Sequence, residues 1–196
     1  MPGPTFILLA GPNGAGKTSL APTLLAELAR NRLNPDEIAV ELSATNPDLG
    51  PVAAGRETLK RIDRALRART SFAVETTLSG NGYYQLAAKA KEHGWQIILL
   101  YVGLSDPELA IQRVRSRVKL GGHDVPVNDI RRRYQRSMAN LPHFCRLAEF
   151  ATLYDNSGVA PPGIHLMSLQ RGQVVSHASE LPAWLKRAMH GFGNGF

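Results

Sequence analysis

The sequence predicts an α/β fold: a doubly wound, mostly parallel five-stranded sheet with helices on both faces, a helical lid and a C-terminal β-hairpin. Three observations predict it. Short apolar runs take turns with segments whose apolar residues recur at helical spacing. The first apolar run, Thr5–Ala10, ends in a glycine-rich loop that opens directly into such a helical segment. The longest run, Gln96–Leu104, shows no polar alternation, which is how a strand covered on both faces reads.

Taken in order, Thr5–Ala10 is the first strand, and the helix from Lys17 carries leucines at 20, 24, 25 and 28. Pro22 falls in its first turn or so, where a missing N–H costs little. Residues 38–42 read as a weak or edge strand, and a loop rich in Asn, Pro and Gly (Asn46–Pro51) leads to a helix over about Ala53–Arg69 that buries Leu59, Ile62 and Leu66. Ser71–Thr76 is a buried strand, Tyr84–His93 a helix, and Gly94 its C-terminal glycine. Ser105 with Glu108 three residues on forms a capping-box pattern that opens a helix to about Lys119. Gly121-Gly122 breaks the chain before a further helix from about Val127 to Leu141. Ala151–Tyr154 is the last parallel strand, Ile164–Gln170 and Val174–Ala178 form a hairpin around Arg171-Gly172, and Pro182–His190 is a terminal helix. The expected organisation is one domain over 1–196, with a lid at about 113–140 and the hairpin and terminal helix at about 160–196.

With 196 residues, 43% of them apolar, the chain can bury one sizeable core. No apolar run approaches the roughly 18 residues a membrane span needs, and Met1-Pro2-Gly3-Pro4 lacks a basic leader region, so a cytoplasmic protein is expected. The lone Cys145 excludes an internal disulfide. Position explains the net charge of +7: between Arg113 and Arg136 eight cations face two acids, which accounts for six of the seven charges. Charge focused in one hairpin-like segment suits several phosphates held at one place, although a stripe of nucleic-acid contacts has the same signature.

The eight residues Gly11-Pro12-Asn13-Gly14-Ala15-Gly16-Lys17-Thr18 have the Gly-x-x-x-x-Gly-Lys-Thr pattern of a P-loop. Its glycines let backbone N–H groups converge on phosphate oxygens, its lysine neutralises the outer phosphates, and its threonine places a hydroxyl on Mg²⁺. The nucleotide set is therefore Gly11, Asn13, Gly14, Ala15, Gly16, Lys17, Thr18 and Ser19, with Arg113 and Arg117 from the basic segment, and the expected cofactors are ATP and Mg²⁺. Asp36, in Asn34-Pro35-Asp36-Glu37, is the candidate general base, although Asn-Pro-Asp is also ordinary turn chemistry. Glu75 ends the apolar strand Phe72-Ala73-Val74, either as a carboxylate near the metal with Thr18 or as an acceptor for substrate hydroxyls, with Thr76 and Thr77 beside it. Arg117 and Arg133 are the arginines favoured to close on the transferring phosphoryl group. His123 is a weaker substrate contact.

Together with Ala54-Gly55-Arg56, the strand end Glu75-Thr76-Thr77-Leu78-Ser79-Gly80, the loop Gly121-Gly122-His123-Asp124-Val125-Pro126 and Arg132-Arg133-Tyr134-Gln135-Arg136-Ser137, these motifs resemble the zeta-toxin family of P-loop kinases over about residues 5–157. They mark a compact subgroup of it. The resemblance implies an ATP-dependent kinase that phosphorylates a sugar hydroxyl of a nucleotide sugar such as UDP-N-acetylglucosamine and is held inactive by a small helical antitoxin. By position it makes Asp36 the acceptor-activating aspartate, Glu75 and Thr77 substrate contacts, and Arg117 with Arg132 or Arg133 the phosphate clamp. Asp36, Arg56, Glu75, Thr77, His123 and Arg132 form the expected substrate set, and Lys17, Asp36, Arg117 and Arg133 the catalytic one.

Two other readings stay open at this level. A housekeeping nucleotide or coenzyme kinase would share the P-loop and the lid. A non-catalytic ATP-binding or nucleic-acid-associated module would use the arginines on phosphodiesters, and would give Asp36 and Glu75 no evident work.

Overall fold

A computed structural model of the chain describes residues 3–25, 31–45, 51–158 and 162–192. Its elements are β1 (Thr5–Ala10), α1 (Lys17–Leu25), β2 (Arg32–Leu33), α2 (Pro35–Thr45), α3 (Pro51–Arg67), β3 (Phe72–Thr76), α4 (Gly82–Glu92), β4 (Gln96–Gly103), α5 (Pro107–Lys119), α6 (Val127–Leu147), β5 (Phe150–Asp155), β6 (Ile164–Gln170), β7 (Gln173–His177) and α7 (Ala183–Ala188). They build one seven-stranded sheet in the order β2-β3-β1-β4-β5-β6-β7. The first five strands in that order are parallel, and β6 and β7 add antiparallel to β5, so the hairpin extends the sheet.

Period-two geometry explains the two layers. In β1, Phe6, Leu8 and Ala10 join one buried cluster while Ile7 and Leu9 join the other; β3 and β4 divide their residues in the same way. On the first face lie Ile62 of α3, Ala87 and Ala90 of α4, and Trp184 and Leu185 of α7. On the second lie Leu20, Ala21 and Leu25 of α1 and Ala110, Ile111 and Val114 of α5. Helix α6 serves both, with Ile130 and Tyr134 in the second cluster and Leu141, Phe144 and Cys145 in the first. Phe6 stacks on Phe72 with ring centroids 4.4 Å apart. Full burial of such a ring contributes about 2–3 kcal/mol. Among the described residues no helix is long and apolar enough to cross a membrane.

Five expectations are corrected. Residues 38–42 are helical, inside α2, because Pro35 sits at a first-turn position, the Asn34 side chain accepts from the Asp36 N–H at 3.0 Å, and Asp36 and Glu37 suit the positive end of a helix. The second strand is instead Arg32–Leu33, only two residues long. On α3, Leu59 points outward at 57% exposure, and the inward positions are Ala54, Thr58 and Ile62; Thr58 is satisfied by the Ala54 carbonyl at 2.8 Å, so a polar residue lies in the apolar register. At α5 the cap is Asp106, whose carboxylate accepts from the Leu109 N–H at 2.9 Å while Ser105 donates to Asp106, so the Ser105 capping box does not form. Pro22 lies in the second turn of α1, and α6 continues through Pro142 to Leu147. Leu28 and most of the loop at 46–51 fall outside the described residues.

Candidate active site

Parallel pairing brings three strand ends to one edge. Leu9 and Ala10 of β1 lie opposite Glu75 and Thr76 of β3, and Ala10 lies opposite Tyr101 of β4. The chain leaves β1 through Gly11, whose N–H donates to the Thr76 carbonyl at 3.2 Å. With φ of +141° and the Val102 carbonyl against the place a Cβ would take, only glycine fits there. Ligands of such sheets bind at this carboxyl edge.

The glycine-rich loop after β1 is braced from outside. Asn156, just after β5, donates to the Ala15 carbonyl at 2.8 Å and accepts from the Gly163 N–H at 3.2 Å. A Cβ at Gly16, where φ is +83°, would stand 2.5 Å from the Asn156 amide nitrogen, so loop and brace are mutually fitted. Lys17 folds back and donates to the Gly11 and Pro12 carbonyls at 2.8 and 3.0 Å. Burial lowers its pKa to about 8, against the opposing pull of Glu75 and Asp36 and with a further push from Arg117. The Thr18 hydroxyl donates to Glu75 Oε2 at 3.0 Å. Asn13 Oδ1 is buried and accepts no hydrogen bond among the described residues, a polar atom left free beside the loop.

One cavity of about 440 Å³ is lined by Asn13, Gly14, Gly16, Lys17, Thr18 and Ser19 of the loop, Asp36 of α2, Glu75, Thr76 and Thr77 at the end of β3, Tyr83, Arg117 and Arg133. The two favoured arginines therefore share a wall with the lysine and both carboxylates. A second cavity of about 620 Å³ between α3 and α4 meets the first at Thr76, Thr77 and Tyr83, and the outward Leu59 and Gly55 line it. At the junction the Thr77 and Ser79 hydroxyls are 2.8 Å apart. Leu78 between them has φ of +59°, a strained conformation held by the Asn140 amide of α6, which donates to its carbonyl at 2.8 Å.

Other expected residues lie elsewhere. Arg113 turns away from the cavity and donates to the carbonyls of Asn156, Ser157 and Gly158 at 2.7, 3.4 and 3.2 Å, so it supports the loop from behind. Arg132 pairs with Asp129 at 2.9 Å one helical turn back. His123 is exposed and offers its backbone carbonyl to Arg117 at 2.8 Å. Arg56 is exposed on α3, outside the lining of both cavities. Ala15 is buried and contributes backbone only.

Sequence reasoning missed Arg32, which forms ion pairs with Glu75 and, at 2.5 Å, with Glu37. No motif marks it, because its partners come from different elements. It also missed Asn156; the polar run Asp155-Asn156-Ser157 directly after a strand at the carboxyl edge was the available signal.

The donor set fits a magnesium-bound triphosphate. Positive-φ glycines turn the loop inward, and Thr18 and Glu75 offer adjoining oxygens of the kind a hard cation takes. No group of three or more His, Cys, Asp or Glu able to hold a metal occurs among the described residues, so the ion's remaining ligands would be phosphate and water.

Residues 2–160 match the family described as zeta toxin. The chain belongs to the zeta toxin family. An uncharacterised protein of Haemophilus influenzae is 33% identical over 128 residues, covering 65% of this zeta toxin family member and 91% of that protein. Among solved structures, the complex of AvrRxo1-ORF1 and -ORF2 with ATP superposes with a TM-score of 0.69 at 19% identity, covering 90% of this chain and 61% of that one. The PezAT chromosomal toxin–antitoxin system of Streptococcus pneumoniae gives 0.56 at 17% identity, covering 97% of this chain and 85% of that one. These two establish the fold alone, that of a P-loop kinase. This family member spans about three fifths of the first of them.

Proposed function

We propose that the chain is an ATP-dependent phosphotransferase that moves the γ-phosphate to a hydroxyl of a small molecule, a nucleotide sugar such as UDP-N-acetylglucosamine being the acceptor. The observation that carries this reading is the shared cavity: a P-loop lysine, two carboxylates and two arginines from five separate elements line one space. A passive nucleotide binder has no use for Asp36 there.

The loop N–H groups and Lys17 hold the phosphates. Asp36, exposed at the start of α2 and free of an ion pair among the described residues, accepts the proton of the acceptor hydroxyl. That oxygen then bonds to the γ-phosphorus as the bond to the bridging oxygen breaks, leaving ADP. Arg117 and Arg133 stabilise the charge spread over the transferring group. Thr18 and Glu75 would hold Mg²⁺, which would supply further charge neutralisation. Thr77 and Ser79 orient the acceptor, and the adjoining 620 Å³ cavity has room for the rest of it. Of the solved neighbours, one is a complex with ATP and another a toxin–antitoxin system, which supports ATP as donor and a small antitoxin as partner here.

The deciding experiment incubates the protein with γ-labelled ATP, Mg²⁺ and a metabolite extract, then identifies the labelled product. Acceptor-dependent label in the native chain, lost in Asp36→Ala, is the expected result. Label that never leaves ATP except as inorganic phosphate would refute the assignment.

A further inference from the structure

The geometry points to Arg32 as a positioning residue that sets Asp36 against Glu75 and thereby governs the transfer step without taking part in nucleotide binding. This inference rests on the phosphotransferase reading for the roles of the two carboxylates.

Arg32 lies in the two-residue strand β2, where it pairs with Ala73 of the neighbouring β3 while Leu33 pairs with Val74. A strand so short cannot orient the next element, yet α2 starts just two residues beyond Leu33 and presents Asp36 in its first turn. The guanidinium fork supplies the missing constraint. Nη1 holds Glu75 Oε1 at the end of β3, and Nη2 holds Glu37 Oε1 at 2.5 Å on α2. Glu37 also accepts from the Asn34 amide at 3.3 Å, and Asn34 Oδ1 accepts from the Asp36 N–H at 3.0 Å. An unbroken chain of contacts thus runs Thr18–Glu75–Arg32–Glu37–Asn34–Asp36.

Three facts favour a brace over an incidental surface pair. The Glu75 side chain is 5% exposed and that of Arg32 19%, so this arm of the fork is desolvated, whereas Glu37 on the other arm is 52% exposed; the Arg67–Asp63 bridge, at 80% and 55%, has no such buried arm. Both Glu75 oxygens are engaged, one by Thr18 and one by Arg32, which fixes the carboxylate's rotation. The two carboxylates joined by the fork belong to elements that have no other ion pair between them among the described residues. A lysine ammonium is a point charge and cannot reproduce a planar fork reaching two acids in different directions.

The test compares Arg32→Met and Arg32→Lys with the native protein. Calorimetry measures the affinity for Mg²⁺ with a non-hydrolysable ATP analogue, and label transfer to UDP-N-acetylglucosamine and to a metabolite extract measures turnover at saturating ATP. Arg32→Met is expected to lower kcat about 100-fold, the scale of a 1 Å misplacement, with analogue affinity within about 3-fold, and to lower Tm, because Glu75 is left buried without its cation. Arg32→Lys is expected to recover part of the loss, about 10-fold below native. Glu37→Gln added to Arg32→Met is expected to cost nothing further, since both changes cut one brace. Native turnover in Arg32→Met overturns the inference. So does a fall in turnover matched by an equal fall in analogue affinity, which would make Arg32 merely structural. A crystal structure of Arg32→Met separates this inference from the phosphotransferase reading: Asp36 displaced by about 1 Å or more from Glu75 is expected, and unchanged carboxylates overturn the brace whether or not the native chain transfers label.

Discussion

The P-loop and the basic helices α5 and α6 both present positive charge to the same cavity, and they do so in opposite ways. The loop works through backbone N–H groups and one lysine, each held by covalent geometry, by positive-φ glycines and by Asn156. The helices carry many guanidinium groups, three of them engaged away from the cavity: Arg113 by carbonyls behind the loop, Arg131 by Glu108 at 2.8 Å, Arg132 by Asp129. Only Arg117 and Arg133 of that group line the cavity. Cationic residues concentrated along the sequence therefore do not amount to concentrated function. A short motif fixes donors by its own backbone, whereas a charged helix gives each side chain a different azimuth and a different partner.

Substitutions can break or sharpen that contrast. Lys17→Ala should abolish label transfer, by about 10³-fold or more, since it removes the loop's one mobile charge from a site where preorganised charge supplies most of the rate. Asp36→Ala should lower kcat by about 10²–10³-fold while analogue affinity measured by calorimetry stays within a few-fold. On the lid, Arg133→Ala should cost about 10²-fold in kcat/KM, and Arg131→Ala, outside the cavity, should stay within about 2-fold. Equal losses for the two arginines would show that the lid acts as a diffuse field. Asn156→Ala should weaken the analogue about 10-fold and lower stability by about 1–2 kcal/mol, read by denaturant unfolding, because the Ala15 and Gly163 groups lose their partner.

The smallest effect concerns pH. Lys17 titrates at about 8 in the free protein, below its ordinary value, because burial disfavours the ammonium. A triphosphate beside it favours the charged form and raises that pKa. Affinity should hardly change below about pH 8 and should decline above it, with proton uptake on binding near about pH 8.5. Calorimetry in buffers of different ionisation enthalpy measures that uptake, and proton release instead would place Lys17 away from the phosphates.

Much of this molecule was legible in one dimension. The strand–loop–helix opening, the buried strands, the hairpin and the cavity residues Lys17, Thr18, Asp36, Glu75, Thr77, Arg117 and Arg133 all derive from periodicity, from a motif whose every position has a task, or from the family resemblance. The misreadings have separate causes. Residues 38–42 took on helix because of the cap at Asn34 and Pro35, a local signal that a short apolar run obscures. Leu59 and Thr58 exchanged places because a second cavity, rather than the core, faces that side of α3.

By itself the sequence determined where phosphate-binding donors occur, since the loop's chemistry depends on neighbours within eight residues. Tertiary structure alone decided that Arg113 turns behind the loop, that Asn156 braces the loop from 141 residues away, and that Arg32 joins Glu75 to Glu37. The reason is physical: a backbone donor is aimed by local dihedral angles, whereas a long charged side chain is aimed by whichever partner the packed elements bring within reach.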